Sequence, residues 1–395
     1  MKQENQKYIG IITFFRKFIT IFFSIFFNIY ILKIVNNDLS FIIKYTLFGV
    51  IAELLICYIV LKFINSKNAK LIYKMSFPLS VINIALLLIF KENIIKYILI
   101  FKTLEKLAHV FYSVPYELIV MGSSDKQNMS SFVANLTILT SIATILTPIL
   151  SGFIIQKVSY YMLFILLIIE ALIIVCISFN IKDFTVNDKK LETKQFLKII
   201  KDKKYIQDIY KCMFFRRISS QGAIIELLPI ILFLRLGSEI DLGAYNSLFA
   251  IISIISLQLL KIINSRKISK NFYPYMAIII FISSVVVVYN SSFITLLIYY
   301  IFMNSFGTVI EAESCSTVYG SIKIDNLENY KKEHILIYNI YMAIGQIISY
   351  ALVYILYNYF YNLNIISISV SILMFFLIIS TMYLRKTQRY LEENN

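Results

Sequence analysis

The chain has 395 residues, 59% hydrophobic and 15% charged, whereas a soluble domain carries about 25% charged residues. That balance excludes an ordinary soluble enzyme. Four scattered cysteines without CxxC spacing and two distant histidines exclude a disulfide framework and a histidine-based metal centre. No GxxxxGK[ST] segment is present for nucleotide hydrolysis.

Apolar runs of about 18–25 residues recur along the chain, the length that crosses a ~30 Å hydrocarbon core. Spans are predicted near 11–33, 41–64, 72–90, 94–120, 130–155 and 159–180. A charged stretch, Ile181 to Gln207, separates them from spans near 209–235, 242–264, 272–289, 292–317, 334–357 and 364–384. The first run is too long for a cleavable signal peptide and reads as the first span. The fold class is therefore an all-α integral membrane protein of about twelve transmembrane helices. Abundant Ile, Lys, Asn, Tyr and Phe with no Trp read as the bias of an AT-rich genome, so the aromatic content is not taken as a substrate cage.

Lys and Arg in short loops set the orientation. With the N-terminus in the cytoplasm, the cytoplasmic set holds Lys62, Lys67, Lys70 and Lys74 after span 2 and eight lysines from Lys182 to Lys204. Lys261, Arg266, Lys267 and Lys270 follow span 8, and Arg385, Lys386 and Arg389 lie in the tail. The opposite side holds little more than Lys33, Lys91, Lys96, Lys157 and Arg235. Both termini are thus expected in the cytoplasm, with the protein in the plasma membrane. The net charge of +15 is then topological and does not imply nucleic acid as a partner. The 182–204 stretch reads as a solvated linker, with an amphipathic helix on the anionic leaflet as an option.

The chain also repeats itself across about 200 residues. Thr13–Thr20 reads TFFRKFIT and Met213–Ser220 reads MFFRRISS; Leu61–Lys67 reads LKFINSK and Leu260–Arg266 reads LKIINSR. Lys44–Phe48 is echoed by Ala244–Phe249, and Pro78 and Pro274 fall in comparable places. Units of six spans insert with the same orientation, which gives two parallel six-helix bundles.

With twelve spans, both termini inside, a long charged linker and this duplication, the chain resembles the major facilitator superfamily over essentially its whole length. The expected domains are an N-terminal bundle (1–180), a cytoplasmic linker (181–207) and a C-terminal bundle with a short tail (208–395). The loop after span 2, Asn65–Lys74, keeps the family's basic residues but lacks its Gly and Asp. Span 5 ends in Thr147-Pro148-Ile149-Leu150-Ser151-Gly152, similar to a stretch common in the family's drug and proton antiporters. Pro148 and Gly152 equally suit an ordinary kinked, closely packed helix.

Ionisable side chains in the bilayer cost about 2.5–3.5 kcal/mol each on insertion scales, so they normally face a bundle interior or wet cavity. Span 4 carries Lys102, Glu105, Lys106 and His109 at i,i+3 and i,i+4 spacing, on one broad face. Glu105 with His109 suits a proton relay, and the lysines suit an anionic substrate group. The plainer alternative is an internally neutralised cluster that aids packing. Glu53 in span 2 is a further proton-site candidate, and Glu170 in span 6 a weaker one.

The resemblance implies that spans 1, 4, 7 and 10 line a central cavity. Arg16 with Lys17, and Arg216 with Arg217, hold matching places in spans 1 and 7, with snorkelling to headgroups as the alternative. Gln221 and Glu226 lie deeper in span 7. Glu117, Glu311 and Glu313 lie towards the cytoplasmic ends of spans 4 and 10, where they suit an inner gate paired with those basic residues.

The leading expectation is a secondary active transporter working by alternating access, proton-coupled, with efflux of an amphiphilic compound ahead of nutrient or anion uptake. Its partners are a small-molecule substrate, protons and the bilayer; no metal or other cofactor is expected, and the resemblance implies a monomer. From other classes stand a non-transporting receptor or scaffold and an integral membrane enzyme, the latter disfavoured by the lack of an Asp- or His-rich constellation at one membrane face.

Overall fold

The computed structural model describes residues 3–122, 126–182, 189–265, 272–290, 292–321, 327–360 and 363–393. Side chains at 3–4, 6, 120–122, 126–138, 260–265, 319, 328, 360, 363–366 and 391–393 fall outside the description, as do Arg266, Lys267 and Lys270 of the loop after span 8. The described chain is helical with no strand, the outcome expected where apolar runs must satisfy their own backbone N–H and C=O groups.

In chain order, α1 (Gln3–Phe22) passes through a π-turn at Phe23–Phe27 into α2 (Asn28–Ile34), and α3 (Leu39–Phe63) and α4 (Ala69–Phe90) follow. A 3-10 stretch at Lys91–Tyr97 leads into α5 (Ile98–Gly122), then come α6 (Lys126–Lys157), α7 (Tyr160–Ser178) and the short α8 (Thr193–Asp202). Predicted span 7 is two pieces, α9 (Lys204–Ile218) and α10 (Ala223–Leu236). Next are α11 (Glu239–Ser265) and α12 (Phe272–Tyr289). α13 (Phe293–Phe302) and α14 (Thr308–Ser321) flank a second π-turn, Met303–Gly307, and α15 (Lys331–Phe360) and α16 (Leu363–Glu393) complete the set.

Counted across such irregularities, ten helices among the described residues are long and apolar enough to cross a membrane. The protein is an all-α, multi-pass membrane protein. Its lipid-facing surface is visible on α3, where Ile51, Leu55, Ile59 and Phe63 are 46%, 59%, 53% and 62% exposed. Spaced i,i+4, they form one apolar stripe that water would penalise and acyl chains accept. Caps fix where helices begin: Asp38 accepts from Phe41 N (3.3 Å) and Ser159 from Met162 N (3.2 Å). Gly237, at φ +70°, ends α10 with its N–H on the Phe233 carbonyl (2.8 Å).

By contact the chain divides into one unit of Met1–Leu191 with Pro229–Ser247, and another of Glu192–Leu228 with Leu248–Asn395. The division runs through α10 and α11, whereas the sequence suggested a single cut at the linker. Within the first unit, α6 and α11 cross backbone to backbone. A Cβ on Gly152 would lie 2.2 Å from the Glu239 carbonyl oxygen, and one on Gly243 2.3 Å from that of Pro148. Pro148 and Gly152 thus mark the crossing, and small residues make it possible. The loop between α3 and α4 is closed by its asparagines. Asn65 Oδ1 accepts from Lys67 N (2.9 Å) and Asn68 N (3.1 Å), and Asn68 Oδ1 accepts from Asn65 N (2.8 Å).

In the second unit, α9 is held by α15 and α16. Phe215 stacks on Phe376 and Tyr383, and Tyr205 on Tyr390. The linker helix α8 buries Phe196 and Ile200 in a cluster with Tyr205, Ile209, Tyr210 and Ile337. Phe196 and Ile200 are thus spent on protein, while Leu197, Lys194, Lys198 and Lys201 are exposed.

Candidate functional site

Helices α3 and α5 of the first unit bring together five of the residues singled out in the sequence. Glu53 takes Lys106 Nζ at 2.7 Å on one carboxylate oxygen and His109 Nε2 at 3.5 Å on the other. Lys102 Nζ meets both oxygens of Glu105, at 2.9 and 3.1 Å. The expected Glu105–His109 relay is thus not the arrangement found. Helical spacing allowed it, but Glu105 is taken by Lys102, and His109 turns to a carboxylate on another helix. The two lysines and two carboxylates balance in charge, and His109 shares Glu53 with Lys106.

Two features position the cluster. A Cβ on Gly49 would lie 2.8 Å from Lys102 Cε and 3.3 Å from Lys106 Cε, so this glycine lets both lysine stems cross α3. The Lys102 ammonium also stands 5.6 Å from the Tyr45 ring centroid, and Tyr45 donates its hydroxyl to buried Asn28. Glu53 lies on the side of α3 opposite its lipid stripe, yet its side chain is 29% exposed. A part-exposed carboxylate on the inward face marks a wet interior surface.

Along the same stripe of α5, at i+10 and i+14 from Lys102, stand Tyr112 and Tyr116. Tyr112 stacks on Tyr116 (centroids 5.5 Å apart) and on Tyr73 (5.4 Å), and its hydroxyl is 3.0 Å from Thr13 Oγ1. The Arg16 guanidinium lies 3.9 Å from the Tyr112 ring centroid. Arg16 makes no ion pair among the described residues.

In the second unit, Arg216 is 1% exposed and closes a different environment. Its Nη2 donates to Gln221 Oε1 (2.9 Å) and approaches Cys315 Sγ (3.7 Å), and its Nη1 donates to the Glu311 main-chain carbonyl (3.1 Å). Its Nε meets no acceptor. The expected pairing with the Glu311 carboxylate is absent; the main chain serves instead because the helix break presents Gln221 to the guanidinium first. Arg217 Nε donates to Gln346 Oε1 (3.1 Å), and Glu313 accepts from Gln388 Nε2 (3.1 Å). Glu117 pairs with no cation among the described residues, so none of the three acids forms the expected inner gate with the spans 1 and 7 arginines. Glu226 sits half-buried in the first turn of α10. Lys17 and Glu170 are also half-buried.

Sequence reasoning passed over one further group. A cavity of about 650 Å³ in the first unit is lined by Tyr30, Lys33, Glu92, Tyr160, Tyr161 and Glu239, among others. Lys33 forms an ion pair with Glu239, which also accepts from the Tyr160 hydroxyl (3.3 Å). Gln156 Oε1 accepts from Ser238 Oγ (2.8 Å) and Ile240 N (3.0 Å). The sequence signal was a lone Lys at the end of span 1 and an acid just before span 8.

No three His, Cys, Asp or Glu side chains are grouped to hold a metal among the described residues. No protein-family model matches the chain, and no curated protein matches it.

Proposed function

We propose that the protein is a secondary active transporter that couples movement of a small molecule to protons by alternating access. The observation that carries the reading is Glu53: an inward, part-exposed carboxylate shared between Lys106 and His109 across two helices. A proton on Glu53 removes the charge that holds Lys106, so α3 and α5 lose their ionic tie as the proton binds and regain it as the proton leaves. That is the differential interaction a coupled transporter needs. His109, on the other oxygen of Glu53, is the group through which the proton passes.

Counting α4 and α5 with the ten apolar helices gives twelve spans in this reading. The duplication, the linker and the Lys-rich loops favour the major facilitator arrangement of two parallel bundles, with both termini in the cytoplasm and the plasma membrane as its place. The discontinuity in predicted span 7 supports it, because broken helices recur at transporter binding sites. The Lys33–Glu239 pair is an ionic tie at the opposite end of span 1 from the N-terminus, suited to an outer gate.

The test is to screen the purified protein for stabilising ligands among metabolites and antimicrobials, then reconstitute it with a hit under an imposed pH gradient. Wild type accumulates the ligand with the gradient. Glu53→Gln loses gradient-driven accumulation yet retains ligand exchange. Undiminished accumulation by Glu53→Gln would overturn the coupling role, and no movement of any stabilising ligand would overturn transport.

A further inference from the structure

We propose that Arg16 is the docking point for an anionic group, a carboxylate or phosphate, and hence that the transporter's ligand is an anion. The inference names the ligand class for the reading above and rests on it. Arginine inside a membrane span is costly and is ordinarily neutralised by a carboxylate. Arg16 is half-buried, and no carboxylate of the described chain pairs with it. Of the acids on α3 and α5, Glu53 is held by Lys106 and His109 and Glu105 by Lys102, while Glu117 makes no ion pair with Arg16 among the described residues.

What Arg16 has is the Tyr112 ring, its guanidinium carbon 3.9 Å from the centroid. A guanidinium over an aromatic face is partly compensated by the ring quadrupole, a contact that occupies none of its N–H donors with an acceptor atom. None of its N–H groups donates a hydrogen bond within the described chain. They are therefore left for an acceptor, and the guanidinium fork fits two oxygens of one carboxylate or phosphate. The platform is rigid before any ligand arrives. Tyr112 is stacked on Tyr73 and Tyr116 and tied to Thr13, whose hydroxyl donates to the Ile9 carbonyl (2.7 Å). Pre-organisation of this kind lowers the entropy cost of binding. The anionic group can belong to a free small molecule or to a phospholipid headgroup, since Arg16 lies in the cytoplasmic half of span 1 in the orientation proposed above.

The experiment measures the unfolding midpoint of the full-length protein with a thiol-reactive dye, which reports exposure of buried Cys57 and Cys212. Inorganic phosphate and succinate are titrated against chloride at constant ionic strength in lipid-free detergent. Phosphatidylglycerol and phosphatidylcholine nanodiscs form the second arm. A free anion at about 100 times its Kd is expected to raise the midpoint by about 3 °C or more. Arg16→Gln abolishes the rise, and Arg16→Lys, which keeps the charge but loses the planar fork, weakens the apparent Kd about tenfold. A rise seen only with phosphatidylglycerol, and lost in Arg16→Lys, assigns the site to a lipid headgroup and overturns the ligand class. A rise indifferent to both substitutions, or no rise in either arm, overturns the site. Binding here requires no transport, so failure leaves the Glu53 reading standing, and failure of Glu53→Gln to uncouple leaves this one standing.

Discussion

Phe14-Phe15-Arg16-Lys17 and Phe214-Phe215-Arg216-Arg217 stand 200 residues apart, and the helices that carry them diverge within the next turn. The first continues with Ile19-Thr20-Ile21-Phe22; Thr20 Oγ1 donates to the Arg16 carbonyl (3.0 Å), yet with no glycine here the helix runs on to the π-turn. The second reads Ser219-Ser220-Gln221-Gly222. There Ser219 Oγ donates back to the Arg216 carbonyl (3.0 Å), Gly222 removes the Cβ, and the helix stops and restarts at Ala223. The restart is tied to α15, because Ala223 N donates to Ser349 Oγ (2.9 Å). The break folds Gln221 onto Arg216 and shuts it in, whereas Arg16 stays accessible on its tyrosine platform. The two matching segments carry equivalent cations; the four residues after them distinguish one built into internal structure from one that keeps unused donors.

Three substitutions would break or sharpen this contrast. The largest effect is expected from Gly222→Val, since even a Cβ there would lie 2.4 Å from both the Arg217 carbonyl oxygen and Ser349 Oγ. Overpacking against backbone should destabilise by about 3 kcal/mol or more, read as a lowered unfolding midpoint in detergent. Phe22, the matching position, already accommodates a large side chain, so the penalty belongs to the second repeat alone.

Arg216→Ala should cost about 2–3 kcal/mol, because the Gln221 and Glu311 oxygens lose their donor and a void opens in a closed core. Arg16→Ala should cost only about 0.5–1 kcal/mol, the worth of one cation–π contact at a part-open site. Paired midpoints for the two alanine variants test the contrast directly, and equal losses would show that the repeats use their arginines alike.

Much of the architecture was legible in the chain. Lengths of apolar runs announce helices because the bilayer leaves backbone groups no other partner. Of the candidate site, Lys102, Glu105, Lys106, His109 and Glu53 were each recognisable as polar intrusions in apolar spans. Their pairing was not. Helical spacing offers His109 to Glu105, and only the packing of α3 against α5, with Gly49 clearing space for the lysine stems, hands it to Glu53. Likewise, period alone could not tell whether Arg216 faces headgroups, an acid or a carbonyl.

The sequence by itself determined that this is a multi-pass helical membrane protein, because hydrophobic length answers to the bilayer, a uniform solvent acting on each segment separately. Tertiary structure decided which charges neutralise one another and which do not. A salt bridge or a guanidinium over an aromatic ring depends on ångström-scale approach between helices distant in sequence, and no local pattern encodes that distance.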